Sequence, residues 1–205
     1  MPDRTRIKVC GLSTAEDVEA AIDSGVDAIG VVLSPSPRRV TPYRAAELLG
    51  GLPGYVAGVA VYRHPDAALV SQALEYLPDW ALHQSDVDDF DEALRVTSPN
   101  RRVPVLRLVD GFEDRMSSFE HQTLLIEGAA SGSGQPVDWQ RAGAWTARSR
   151  VIIAGGLDPD NVGDVVRSIH PFAVDVSSGV ESSPGVKDAG RIRAFVAAVR
   201  EADQA

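Results

Sequence analysis

Residues 6–33 read RIKVCGLSTAEDVEAAIDSGVDAIGVVL. A short run, Ile7–Cys10, alternates in the two-residue period of a strand; Ala15–Ser24 then carries apolar residues at helical spacing, and Gly25 supplies a stop. A second apolar run, Asp27–Leu33, has strand length. Strand, helix, strand in that order is the sequence form of a parallel pair joined by a helical crossover. The same alternation continues to the end of the chain. Strand-like runs follow at Tyr55–Tyr62, Trp80–His83, Val103–Val109, Thr123–Glu127, Val151–Gly155 and Ala173–Ser177. Helical stretches separate them at Pro42–Leu49, Pro65–Leu77, Val87–Val96, Trp139–Arg148, Asp160–Ile169 and Asp188–Ala202, with a weaker one at Glu113–Phe119. Thr41-Pro42 and Asp158-Pro159 each pair an N-cap residue with a proline, whose missing N–H costs nothing at a helix start.

Roughly eight units of about 26 residues each predict a parallel sheet covered by helices. The first strand is followed by no Gly-x-Gly-x-x-Gly, so the pattern favours a closed barrel over an open doubly wound sheet. The expected fold is α/β, a single (β/α)8 TIM barrel over residues 1–205. The stretch GAASGSGQ at 128–135 is too short to separate domains and reads as a mobile loop.

The chain has 205 residues, 44% of them apolar, enough for a substantial core. Its one cysteine allows no internal disulfide, and MPDRTRIKVCG has no signal-like or membrane-spanning apolar stretch. A cytoplasmic protein with no membrane partner is expected. A formal charge of −9 argues against nucleic acid as a partner. A small anion remains compatible with it, because backbone N–H groups bind phosphate locally whatever the overall charge.

In such barrels the loops after the strands form the working face. Cys10, Glu127 and His83 end the first, sixth and fourth strands; Arg38 lies in SPSPRR after the second. Residues two apart share a face, so Lys8 and Cys10 point into the barrel together, as do Asp175 and Ser177, with Glu127 inward as well. A neighbouring ammonium predicts a lowered Cys10 thiol pKa. The turns AGGLDPDN and SSGVESSPG follow strands seven and eight, where barrels often bind phosphate. His64, His121 and His170 form no zinc-ligand spacing with the lone cysteine, so no metal is expected.

These residues resemble a known family. KVCGLSTAEDVEAAIDSGVDAIGVVLSPSPRRVTP at 8–42, GSGQPVDW at 132–139, IAGGLDPDNV at 153–162 and FAVDVSSGVESSPGVKD at 172–188 are similar to motifs of phosphoribosylanthranilate isomerase. The resemblance implies a (β/α)8 barrel catalysing an Amadori rearrangement in tryptophan biosynthesis, without cofactor or metal; the expected assembly is a monomer or homodimer. It implies Cys10 as general base and Glu127, standing where the family has aspartate, as general acid. It further implies Arg38, His83 and Asp175 as substrate-binding residues, with Arg38 on the anthranilate carboxylate, and Gly155, Gly156, Ser178 and Gly179 as the phosphate site. The resemblance is poor from about 56 to 122: Ala81 and Gln84 stand where the family has Gln and Gly, and Ala60 where it has Phe.

Two other readings follow from the same residues. A related phosphosugar isomerase of broader, histidine-pathway specificity would have an aspartate ending strand one and a half-barrel repeat, where this chain has Cys10 and no evident repeat. A catalytically silent phosphate-ligand binder would keep the two glycine turns and let Glu127, Ala81 and Ala60 drift.

Overall fold

The computed structural model describes residues 4–90, 92–109, 111–119, 122–128 and 138–204. Eight parallel strands close into a barrel in sequence order: β1 (Arg6–Cys10), β2 (Ala28–Val32), β3 (Ala57–Val61), β4 (Leu82–Asp86), β5 (Arg102–Leu108), β6 (Thr123–Gly128), β7 (Arg150–Ala154) and β8 (Ala173–Val176). The seam is parallel pairing of β1 with β8, in which Lys8 stands opposite Asp175. A two-stranded hairpin, β9 (Glu181–Ser183) and β10 (Val186–Lys187), lies beyond β8.

Helices cover the outside: α1 (Ala15–Asp23), α2 (Pro42–Gly50), α3 (Ala67–Tyr76), α4 (Phe112–Met116), α5 (Trp139–Gly143), α6 (Val162–Ile169) and α7 (Ala189–Ala202). Side-chain caps fix several starts. Thr41 Oγ1 accepts from the Arg44 N–H, Asp66 from Leu69 and Asp188 from Arg191. The α7 C-terminus is tied to the barrel floor, where Asp203 accepts from the Thr5 N–H and Arg200 donates to the Thr5 carbonyl.

Strand alternation divides the apolar residues into two layers. Ile7, Val9, Leu124, Ile126, Val174 and Val176 face outward and pack against the helices; Val103, Val105, Leu125, Ile152, Ala154 and Ala173 form a separate cluster inside the barrel. Polar residues at the strand ends then crown that inner cluster, which gives the mouth a dry, rigid floor.

Three expected elements differ. Val87–Val96 is not a helix: a 3-10 turn over Val87–Phe90 replaces it. The stretch is rich in aspartate, which favours side-chain bonds to nearby groups over helix continuation, and Asp89 accepts from the Ser85 hydroxyl and the His64 N–H. The fourth strand extends to Asp86 rather than ending at His83, because Gln84 and Asp86 are polar residues pointing to the mouth and not turn residues. The helix from Trp139 stops at Gly143, whose missing side chain admits Ile169: a Cβ there would lie 2.6 Å from Ile169 Cγ2. Of the stretch 128–135, expected to be a mobile loop, Gly128 ends β6 and residues 129–135 lie outside the described residues.

Phe195 on α7 is fully buried between helix and barrel. Phe195→Ala is expected to cost about 3–5 kcal/mol through lost burial and the cavity left behind, measured as a lower urea midpoint at unchanged slope.

Candidate active site

A cavity of about 670 Å³ opens at the C-terminal ends of the strands, a size suited to a small-molecule ligand. Cys10, Arg38, Glu127, Gly155, Gly156, Asp175 and Ser178 all line it.

At its base Cys10 and Lys8 point inward from β1 as alternation requires. The Lys8 ammonium donates to Asp175 Oδ2 at 2.8 Å, and both side chains are almost wholly buried. Gly30 of β2 makes room for this group: a Cβ there would lie 3.0 Å from Cys10 Sγ and 3.1 Å from Lys8 Nζ. The thiol is not activated in the way its neighbour suggested. Burial pushes the Cys10 pKa up and Asp175 adds to this, outweighing the opposing pull of Lys8. Lys8 itself stays charged, because Asp175 and Cys10 more than offset its desolvation. The expected lowering of the thiol pKa is therefore corrected: the cation is already committed to a carboxylate in the same buried space.

On the adjoining rim, beside Gly11 at the end of β1, Arg38 extends over the mouth. Its Nε and Nη2 donate to the two oxygens of Glu181 at 2.6 and 2.7 Å, a bidentate fork that leaves Nη1 outside the pairing. Glu181 also accepts from Lys187 Nζ at 2.7 Å and from the Gly185 N–H at 3.2 Å. Burial raises its pKa, but Arg38 and Lys187 outweigh that and hold the carboxylate down at about 2. Lys187 in turn donates to the Ser177 carbonyl, and the Ser177 hydroxyl donates to the Cys10 carbonyl. One polar chain therefore runs from the Arg38 guanidinium to the backbone of Cys10.

Glu127 points into the cavity from the end of β6 and accepts from Arg107 Nη1 at 3.3 Å; Arg107 Nη2 reaches Asp86 at the same distance. Two glycine turns close the third side. Gly155 and Gly156 have left-handed backbones, and the Asn161 side-chain amide donates to the Gly156 carbonyl at 2.8 Å. Gly179 packs against that turn so closely that a Cβ would lie 1.9 Å from the Leu157 carbonyl oxygen.

His83 is not brought to the cavity. It lies opposite Ala60 in the β3–β4 register, faces the outer layer and stacks on Tyr62, with the Tyr62 hydroxyl 3.2 Å from Nδ1. Burial, together with Arg101, lowers its pKa to about 4, so it is neutral at physiological pH. Its expected contact with substrate is withdrawn: alternation gives Gln84 and Asp86 to the cavity, and His83 and Ser85 to the outer layer.

The family model for N-(5′-phosphoribosyl)anthranilate (PRA) isomerase matches residues 7–198. The chain belongs to this family. The isomerase of Dechloromonas aromatica is 41% identical over 206 residues, covering 98% of this chain and 99% of that protein. Among solved structures, phosphoribosyl anthranilate isomerase from Thermotoga maritima superposes with a TM-score of 0.83 at 27% identity, covering 96% of this chain and 99% of that one. A further isomerase structure, solved in complex with reduced 1-(o-carboxyphenylamino)-1-deoxyribulose 5-phosphate, gives 0.79 at 26% identity over 96% and 99% of the two chains.

Within this phosphoribosylanthranilate isomerase scaffold the structure brings Cys10, Glu127, Arg38, Asp175, Gly155, Gly156 and Ser178 around one cavity, with Gly179 packed against the turn that follows β7. Arg107, Asp86, Glu181 and Lys187 were missed from sequence. Alternation from Val103 would have found Arg107, since 103, 105 and 107 share the inner face. Nothing local in SSGVESSPGVK signals that its glutamate pairs with an arginine 143 residues away.

Two outcomes follow from these environments. Alkylation of Cys10 by iodoacetamide is expected to be slow at pH 7 and to keep accelerating past pH 9, the thiol's ordinary value; a plateau near pH 7 would contradict burial as the dominant influence. Glu181 stabilises the fold fully above its ordinary value of 4.5, and this contribution is lost as pH falls toward 2. Chemical denaturation of Glu181→Gln should therefore show a smaller loss of stability across that window than the parent chain, from a lower stability at pH 7.

Proposed function

We propose that this chain catalyses the Amadori rearrangement of N-(5′-phosphoribosyl)anthranilate to 1-(2-carboxyphenylamino)-1-deoxyribulose 5′-phosphate in tryptophan biosynthesis. The observation that carries the reading is the convergence of a thiol, a carboxyl group and a fork-held arginine on one cavity closed by two glycine turns. The ligand named for the related solved complex is a reduced form of that product. Substrate phosphate is assigned to the turns at Gly155, Gly156, Ser178 and Gly179, where backbone approaches closely and side chains are small. Arg38, preset by Glu181, takes the aromatic carboxylate with its remaining Nη1.

With both ends anchored, the sugar lies over the mouth between Glu127 and Cys10. Glu127 gives its proton to the furanose ring oxygen, the C1–O bond breaks toward that oxygen, and the nitrogen lone pair forms the iminium. The Cys10 thiolate removes the proton from C2, and those electrons form the enolamine, which tautomerises to the ketone. A raised thiol pKa makes Cys10 a scarce base at neutral pH but a strong one once ionised. The buried Asp175 Oδ1, which has no hydrogen-bond partner among the described residues, is available to a substrate hydroxyl or amine.

The test follows loss of phosphoribosylanthranilate fluorescence. Cys10→Ser and Glu127→Gln should each lower kcat by about 10²–10⁴-fold, while Glu127→Asp keeps the larger share of activity. Wild-type protein that binds a phosphosugar analogue without turnover would overturn the reading, and an active Cys10→Ser would overturn the base.

A further inference from the structure

Strands β4, β5 and β6 place Asp86, Arg107 and Glu127 in one row along the cavity wall. Arg107 stands directly opposite Glu127 in the strand register. Its two terminal nitrogens are divided between the carboxylates, Nη1 to Glu127 Oε2 and Nη2 to Asp86 Oδ2, each at 3.3 Å. All three side chains are 16–23% exposed, so water screens them only in part. From β7 the groups beside Glu127 are Ala154 and Gly155, which carry no charge. On the far side His64 lies 3.8 Å from Asp86 and 3.5 Å from Asp89.

Two carboxylates and one guanidinium leave the row with one formal negative charge. A single proton on Glu127 neutralises it, because Arg107 then keeps a full partner in Asp86. When Glu127 gives that proton away, the new carboxylate meets a guanidinium already in position. An interaction that strengthens as charge develops lowers the barrier, whereas one equally strong before and after does not.

We propose that Arg107, anchored by Asp86, is a positioning residue that stabilises the Glu127 carboxylate as it forms during proton transfer to the ring oxygen. The inference rests on the reading of Glu127 as general acid. In the step itself the Glu127 O–H bond breaks, its electron pair stays on the carboxylate, and the proton goes to the furanose oxygen as its bond to C1 breaks. No oxidant or further reactant takes part. The arrangement also answers the departure at this position: a glutamate has one more rotatable bond than the family's aspartate, and Arg107 restrains it.

The experiment compares kcat and KM for phosphoribosylanthranilate among wild type, Arg107→Gln, Arg107→Lys, Glu127→Gln and the Arg107→Gln/Glu127→Gln pair. Arg107→Gln is expected to lower kcat by about 10–100-fold with KM within about threefold. Arg107→Lys, which keeps the charge, should recover part of that loss. In the Glu127→Gln background, where no carboxylate forms, adding Arg107→Gln should change the residual kcat by less than about threefold. Penalties that multiply in the pair, or a KM that rises at unchanged kcat, would overturn the proposal and make Arg107 a direct substrate ligand. Should Arg107→Gln fail to fold, Asp86→Asn with Arg107→Lys supplies the same comparison. A fully active Glu127→Gln removes the general-acid reading itself, an outcome visible before any Arg107 variant is compared.

Discussion

The closure of this barrel depends on a buried ion pair across its seam. Lys8 of β1 and Asp175 of β8 stand opposite each other in register and meet at 2.8 Å. Desolvating two charges costs several kcal/mol per ion, and leaving one unpaired costs more than the pair returns. A slip of one residue between the first and last strands would turn Asp175 toward the apolar outer layer and strand the Lys8 ammonium inside. The pair therefore specifies which register closes the barrel, and that register sets the height of Cys10, Ser177 and the final glycine turn.

The same pair governs the chemistry above it. A cation beside a thiol ordinarily favours the thiolate, but this ammonium is committed to a carboxylate in the same dry space, and burial decides the direction. Small residues keep the assembly compact. Gly30 leaves space for both the thiol and the ammonium, and Gly179 lets the eighth-strand turn lie against the seventh. The site is thus built by what is missing from two positions as much as by what is present.

Much of this was legible in the chain. Period-two alternation in KVC and VDVS placed Lys8, Cys10 and Asp175 inside, and the turn residues after strands seven and eight marked one side of the cavity. What failed did so where polarity has two meanings. The residues HQSD at 83–86 look like the end of a strand to a reading that follows hydrophobicity, yet they continue it, because inward residues near a barrel mouth are polar. His83 was misplaced by that error alone. Glu181 escaped for a different reason: its partner Arg38 becomes a neighbour only when the chain closes, and no local spacing encodes that contact.

A chain of formal charge −9 that receives a phosphorylated carboxylate must keep its cations from being neutralised at the wrong atoms. The mouth does this by dividing each guanidinium. Arg38 presents two nitrogens to Glu181 and leaves its third outside that pairing; Arg107 splits its nitrogens between Asp86 and Glu127. Lys187 adds a second cation behind Glu181, so that cluster is formally positive while the Asp86–Arg107–Glu127 row is formally negative. Positive charge therefore gathers on the side of the mouth formed by the Arg38 loop and the β9–β10 hairpin, and the excess negative charge on the side formed by β4, β5 and β6. Fixed dipoles and paired cations of this kind need no reorganisation as a reaction proceeds, which is the form in which electrostatics lowers a barrier most effectively.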